Sequence, residues 1–305
     1  MPTNRPSSAR FALRQWNWVV PAFVAPAALI LIVLMALPMA NAVVLTFQFW
    51  NGMTPPSWIG LSNYQTLFSE PLFWSALRNT AYYTIATVVL KTSLPLILAS
   101  LLSSGVRFSV FFRTMYFMPV VISLAISGLL WKMIYEPNFG LLNETLRFIG
   151  LGNFTQIWLG SSNTVMPSII AVSLWQGLGF YLLIFYAAIQ GVPSDLYDAA
   201  KMDNANALRR FWHVTVPMLR PVIVLVIVLN TINGVKVFDQ VWAMTAGGPN
   251  HASDTLGTYL YSTAFGSVGN PQFGYATTIA MVILVLSAVL SIIQIRIGRR
   301  QEVEY

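Results

Sequence analysis

Two groups of residues in this chain have the types and spacing to do chemical work. The first is a charged stretch from Pro193 to Pro221, PSDLYDAAKMDNANALRRFWHVTVPMLRP, with Asp195, Asp198, Lys201, Asp203, Arg209, Arg210 and Arg220. Its spacing suits docking rather than bond-making. The second group lies inside apolar segments: Trp175, Gln176, Phe180 and Tyr181 in one, and Asn230, Asn233 and Lys236 in another, spaced i, i+3, i+6. Amides and an amine beside aromatic rings offer hydrogen-bond partners together with flat apolar faces, which suits holding a polar solute rather than breaking a bond. Polar groups deep in a membrane are costly and face the bundle interior. Each has a plainer use. Asn230 and Asn233 can bond between helices, Trp175 and Phe180 can pack or meet lipid, and Lys236 can snorkel outward or pair with Asp239.

Covalent chemistry has no motif here. No G-x-x-x-x-G-K-[ST] occurs, and Lys91-Thr92 has no glycines before it, so no Walker loop can cradle a nucleotide. No H-E-x-x-H or G-x-S-x-G is present. The chain has no cysteine, which excludes disulfides and thiolate metal sites. Its two histidines, His213 and His251, fall on opposite sides of the topology below, so no metal site and no enzyme activity are expected.

The elements that must position these residues are membrane spans. The chain has 305 residues, is 56% hydrophobic and only 9% charged, where soluble domains carry about 25% charged residues. A span needs about 20 apolar residues. Six runs qualify, at about Val19–Phe49, Thr80–Leu102, Thr114–Trp131, Val165–Ile189, Val222–Val235 (continuing to Met244) and Ala276–Ile295. The first is too long for a signal-peptide core of about 7–15 residues, and Pro21, Pro26 and Pro38 predict bends or an offset start in it. Residues 1–18 form a basic tail, 19–298 a single transmembrane domain and 299–305 a second tail, with no repeat or soluble linker between them. The +7 formal charge is an anchoring signal and not one for nucleic acid. With both termini inside, Arg5, Arg10, Arg14, Arg107, Arg113, Lys201, Arg209, Arg210, Arg220, Arg296, Arg299 and Arg300 are all cytoplasmic, twelve of the 17 basic residues, as the positive-inside rule asks.

That topology places the 193–221 stretch in the cytoplasm. Ser194 or Asp195 can cap a helix there. Leu196, Ala199 and Ala200 share a face, and Asp203-Asn204 suits a left-handed stop. A second helix would carry Leu208, Phe211 and Trp212. An interfacial amphipathic helix without a partner is the alternative.

At Asp198-Ala199-Ala200, Asp203 and Pro217 the chain resembles the "EAA" loop of ABC-importer permeases, with Asp198 in place of Glu and Asn204 where Gly is usual. Further segments are similar to the carbohydrate-uptake branch that contains the maltose and glycerol-phosphate permeases. They are Gly60-Leu61-Ser62-Asn63-Tyr64 with Phe73-Trp74 and Asn79-Thr80; Arg113 to Pro119 with Trp131; Phe139 to Asn143; and Met244 to Pro249 with Thr255-Leu256 and Tyr259. The resemblance implies an all-α fold of about six spans, the type I importer permease fold, with a cytoplasmic coupling helix.

It further implies a non-catalytic half-channel in a prokaryotic inner or plasma membrane. Asp198, Ala199, Ala200, Asp203, Asn204 and Pro217 would couple it to an ATPase dimer, which uses ATP and Mg that this chain does not bind. Its other partners would be a second homologous permease, an extracytoplasmic solute-binding protein that delivers a sugar or oligosaccharide, and the bilayer. Glycerol 3-phosphate or a glycerophosphodiester is the alternative cargo. A stand-alone secondary transporter is the alternative class, although no inverted repeat and no coupling carboxylate at the centre of a span is present.

Overall fold

The computed structural model describes residues 21–266 and 271–299. The tail at 1–18, the first two residues of the first run, and Arg300 with the residues after it lie outside them. The chain folds as helices around one long central span. Among the described residues four helices are long and apolar enough to cross a membrane: Pro21–Leu45, Pro71–Ser103, Val165–Gln190 and Phe273–Gly298. Two bent pairs, Ser109–Val121 with Leu124–Ile134 and Ala207–Met218 with Arg220–Val235, bring the number to six if each pair is one span.

Each helix follows from local sequence. Pro71 opens the second span, where a missing N–H costs nothing. That helix runs 33 residues, about 50 Å at 1.5 Å per residue, so it extends beyond the hydrocarbon layer. In the first span a π turn, Ile32–Ala36, precedes Pro38, placing the widened turn beside the residue that cannot donate a hydrogen bond. The fourth span, Val165–Gln190, is the most buried. Its Gly179 meets the third span so closely that a Cβ there would lie 2.1 Å from the Tyr116 carbonyl oxygen.

The third span differs from the straight Thr114–Trp131 helix that the apolar run predicts. It bends by 99°. Pro119 tightens Met118–Val121 into a 3₁₀ turn, and Ser123 restarts the helix by accepting from the Ile126 amide. The fifth run also breaks. Its helix stops at Val235, Phe238 takes φ −143° and ψ −65°, and a separate helix runs Asp239–Thr245. Lys236 and Asp239 therefore do not share a helical face, and the expected ion pair between them is absent from the pairs formed among the described residues.

Among the described residues three apolar cores hold the bundle. One gathers Tyr83, Tyr135, Val165, Ile169, Val241 and Met244. A second gathers Leu96, Ala99, Leu182, Phe185, Leu219 and Val226, and a third Leu67, Phe73, Val235, Leu256 and Ile279. The most apolar stretch of the first span buries none of its residues within this chain. The turn signal at Asn51-Gly52 makes a hairpin, a feature outside the all-helical expectation. Asn51 Oδ1 accepts from the Met53 and Thr54 amides at 3.0 Å, Gly52 takes φ +79°, and Gln48–Phe49 pairs antiparallel with Ser57–Trp58.

Candidate functional site: an exposed hairpin and a polar face between spans

The charged stretch folds as a helical hairpin. Its first helix is Ser194–Met202, with Asp195 in the first turn and Lys201 in the last, where each charge complements the helix dipole. Neither Ser194 nor Asp195 caps it, because Pro193 occupies the N-cap position and has no side-chain acceptor. At the other end Asn204 takes φ +56°. The Asn204 amide donates to the Lys201 carbonyl and the Ala205 amide to the Ala200 carbonyl, closing the helix in the left-handed manner that Asn tolerates. Asn206 then caps the second helix, accepting from the Arg209 amide at 2.9 Å. Pro217 lies in that helix, two residues before the break at Leu219.

This hairpin is held loosely. No residue of Ser194–Met202 is buried. Its side-chain tie to the second helix is Tyr197 Oη with Thr215 Oγ1 at 3.1 Å. Asp198 pairs with Lys201 at 2.8 Å on the surface. Asp198, Ala199, Asp203 and Asn204 are exposed and Ala200 is half-buried. Apolar side chains also stand uncovered here: Leu196, Met202 (83% exposed), Leu208 (67%) and Trp212. An apolar group rimmed by charge and left open marks an interaction surface.

The candidates for the solute path divide by accessibility. Gln176, Tyr181 and Asn230 are buried. Gln176 Nε2 donates to the Ile122 carbonyl at 2.8 Å, satisfying a backbone group freed by the bend in the third span. Asn230 Nδ2 donates to the Val226 carbonyl at 3.1 Å within its own helix. Trp175 is half-buried and stands edge-on to Trp131, centroids 5.4 Å apart. Phe180, Asn233 and Lys236 are exposed on the chain's surface. The rings of Phe180 and Tyr181 lie 5.2 Å apart, and Asn233 faces Tyr181.

A polar cluster that the candidate residues leave out lies between the second and fourth spans. Lys91 Nζ donates to Ser173 Oγ at 2.8 Å, and Ser173 Oγ lies 2.6 Å from Tyr83 Oη. The sequence signal is the helical spacing of Tyr83, Thr87 and Lys91 on one face, but Ser173 comes to it only through tertiary packing.

At the opposite end of the bundle from the hairpin, separate segments meet. Asn79 Nδ2 donates to the Asp254 carbonyl at 3.0 Å, and the Leu256 amide donates to Thr80 Oγ1 at 2.9 Å. Asn79-Thr80 therefore braces the loop that follows Gly247-Gly248-Pro249. Gly247, at φ +90°, leaves no room for a Cβ, which would strike the Asp254 carboxylate. In the neighbouring loop Glu136 accepts from the amides of Phe139 and Asn138, which holds its carboxyl below the usual range. Asn143 closes that loop through the Pro137 and Gln156 carbonyls and Trp158 Nε1. Among the described residues no three His, Asp or Glu side chains gather as metal ligands would.

Residues 91–303 match the family described as "Binding-protein-dependent transport system inner membrane component". The chain is 37% identical over 283 residues to the probable ABC transporter permease protein YurN of Bacillus subtilis (strain 168), covering 92% of this chain and 96% of that one. It is 34% identical to the lactose transport system permease protein LacF of Rhizobium radiobacter, covering 92% and 94%. Among solved structures it resembles a chain of a bacterial ABC transporter involved in the import of the acidic polysaccharide alginate, with TM-score 0.81, 22% identity, and coverage of 96% of this chain and 99% of that one. It also resembles a chain of the alginate transporter in complex with a pentasaccharide-bound periplasmic protein, with TM-score 0.81, 21% identity, and coverage of 94% and 96%.

Proposed function

The chain belongs to the family of binding-protein-dependent transport system inner membrane components, and from that premise we propose that it is one permease half of an ATP-driven importer for a sugar or oligosaccharide. Among its relatives, one is named for lactose transport, one for multiple sugars and one for starch degradation products. A saccharide cargo follows by kinship.

The observation that carries the reading is the uncovered hairpin. A soluble ATPase dimer binding Ser194–Met202 would cover Leu196, Met202 and Leu208, and Asp198, Ala199, Ala200, Asp203, Asn204 and Pro217 would shape the contact. Hydrolysis happens in that partner, with its own ATP and Mg. A second permease completes the path, and an extracytoplasmic binding protein delivers solute to the end braced by Asn79 and the Gly247–Pro249 turn. Both termini and the hairpin lie in the cytoplasm. On the path, Trp175, Phe180, Asn233 and Lys236 are the reachable contacts, while Gln176, Tyr181 and Asn230 support them from behind.

Replacing Ala200 with Trp tests the reading. In vesicles holding the complete transporter, ATP-driven uptake of the cognate sugar should vanish while membrane insertion stays normal. Wild-type uptake by A200W would remove the coupling role.

A further inference from the structure

Lys91 stands in the middle of a 33-residue span, and no acid among the described residues pairs with its charge. Ion pairs among the described residues join Arg147 to Glu144, Lys201 to Asp198 and His251 to Asp254; none reaches Lys91. An ammonium group among apolar helices is costly, and such residues face a partner or a wet cavity. The surroundings of Lys91 are nevertheless arranged for it. Ser173 Oγ accepts a hydrogen bond from Nζ at 2.8 Å and is itself backed by Tyr83 Oη. Gly177, one turn on from Ser173, gives its stem room: a Cβ there would lie 3.1 Å from both Cε and Nζ. Lys91 is half-buried rather than sealed. Ser173, Gly177 and Phe180 follow at i, i+4 and i+7 on one helix face, so the amine shares that face with the exposed Phe180 ring. Phe180 stands against Tyr181, and Tyr181 faces Asn233.

We propose that Lys91, seated on Ser173 and Gly177 beside Phe180, binds an oxyanion carried by the solute, a carboxylate or phosphate on a sugar. The inference rests on the transport reading above and narrows its cargo to acidic saccharides. Ser173 holds the ammonium in place through one donor and leaves its other two donors for the ligand. Phe180 and Asn233 serve the sugar ring and its hydroxyls.

The test uses the full chain in lipid nanodiscs. The protein has four lysines, Lys91, Lys132, Lys201 and Lys236. Labelling with 15N-lysine leaves all three N–H donors of each side chain in place and gives each Nζ its own NMR signal, with K91Q identifying that of Lys91. The probes are glucuronate, glycerol 3-phosphate, glucose and potassium chloride, at matched ionic strength. The Lys91 signal should shift saturably with glucuronate or glycerol 3-phosphate, and which of the two acts names the anion. It should not shift with glucose or chloride. A silent Lys91 with both anions overturns the proposal, as does an equal response to glucose or to chloride. A silent signal that moves when a second permease is added shows an acid of that partner neutralising Lys91, which also overturns it. In the reconstituted transporter, K91Q should raise the half-saturating concentration of the acidic sugar about tenfold or more, the scale of a lost charged hydrogen bond. If A200W and wild type both transport, the coupling reading fails. If wild type transports and Lys91 stays silent, only the anion proposal fails.

Discussion

Met202 and Leu208 flank the turn of the hairpin and keep 83% and 67% of their surface open. If the ATPase covers them, that exposure becomes binding energy. Fully burying a Met or Leu side chain is worth roughly 1.5–3 kcal/mol. With 83% of Met202 still to be buried, M202S should weaken docking by about 2 kcal/mol, or roughly thirtyfold in Kd. L208S should follow at a somewhat smaller cost. Neither position touches the core, so the fold itself should change by no more than about 0.5 kcal/mol. The assay titrates the purified ATPase against nanodiscs carrying the permease pair, read by interferometry, with thermal unfolding of the nanodisc sample as the control. If both variants bind the ATPase as tightly as wild type, the apolar rim of the hairpin is not the docking surface.

Three further outcomes follow. G179A places a Cβ 2.1 Å from the Tyr116 carbonyl oxygen, an overpacking of backbone that should cost at least about 1–3 kcal/mol; a wild-type Tm would show that the third and fourth spans do not meet there. N233A should shift the solute concentration for half-maximal uptake, because Asn233 is exposed beside Tyr181, while N230A should act mainly on thermal stability; unchanged kinetics in N233A would take it off the path. A double-mutant cycle of K236Q and D239N should show a coupling energy near zero, since the helix breaks between them; a coupling of about 0.5 kcal/mol or more would restore the pair.

Features set by a few neighbouring residues were legible in the sequence. The stop at Asp203-Asn204 rests on the tolerance of Asn for positive φ, and Asn204 adopts it. Pro119 is visible inside an apolar run, but the run does not reveal a 99° bend. The bend is stable because Gln176, fifty-four residues later, bonds the freed Ile122 carbonyl. For the same reason Gln176 looked like a solute contact in isolation, since spacing alone does not say where a polar group spends its donors. Lys236 and Asp239 sit at helical spacing, yet Phe238 leaves helical geometry between them. The bond from Asn79 to the Asp254 carbonyl crosses 175 positions. Each segment was recognisable alone, and their union depends on how the second span packs against the loop before Thr255.

The most direct measurement uses the absence of native cysteine. Met202 is replaced by Cys, giving a chain with one thiol at the tip of the hairpin. A membrane-impermeant maleimide should label it in inside-out vesicles and not in right-side-out vesicles, and the addition of the ATPase subunits should protect it. Labelling from the outer side, or labelling from the inner side that the ATPase leaves unchanged, would contradict a hairpin that takes force from a cytoplasmic motor.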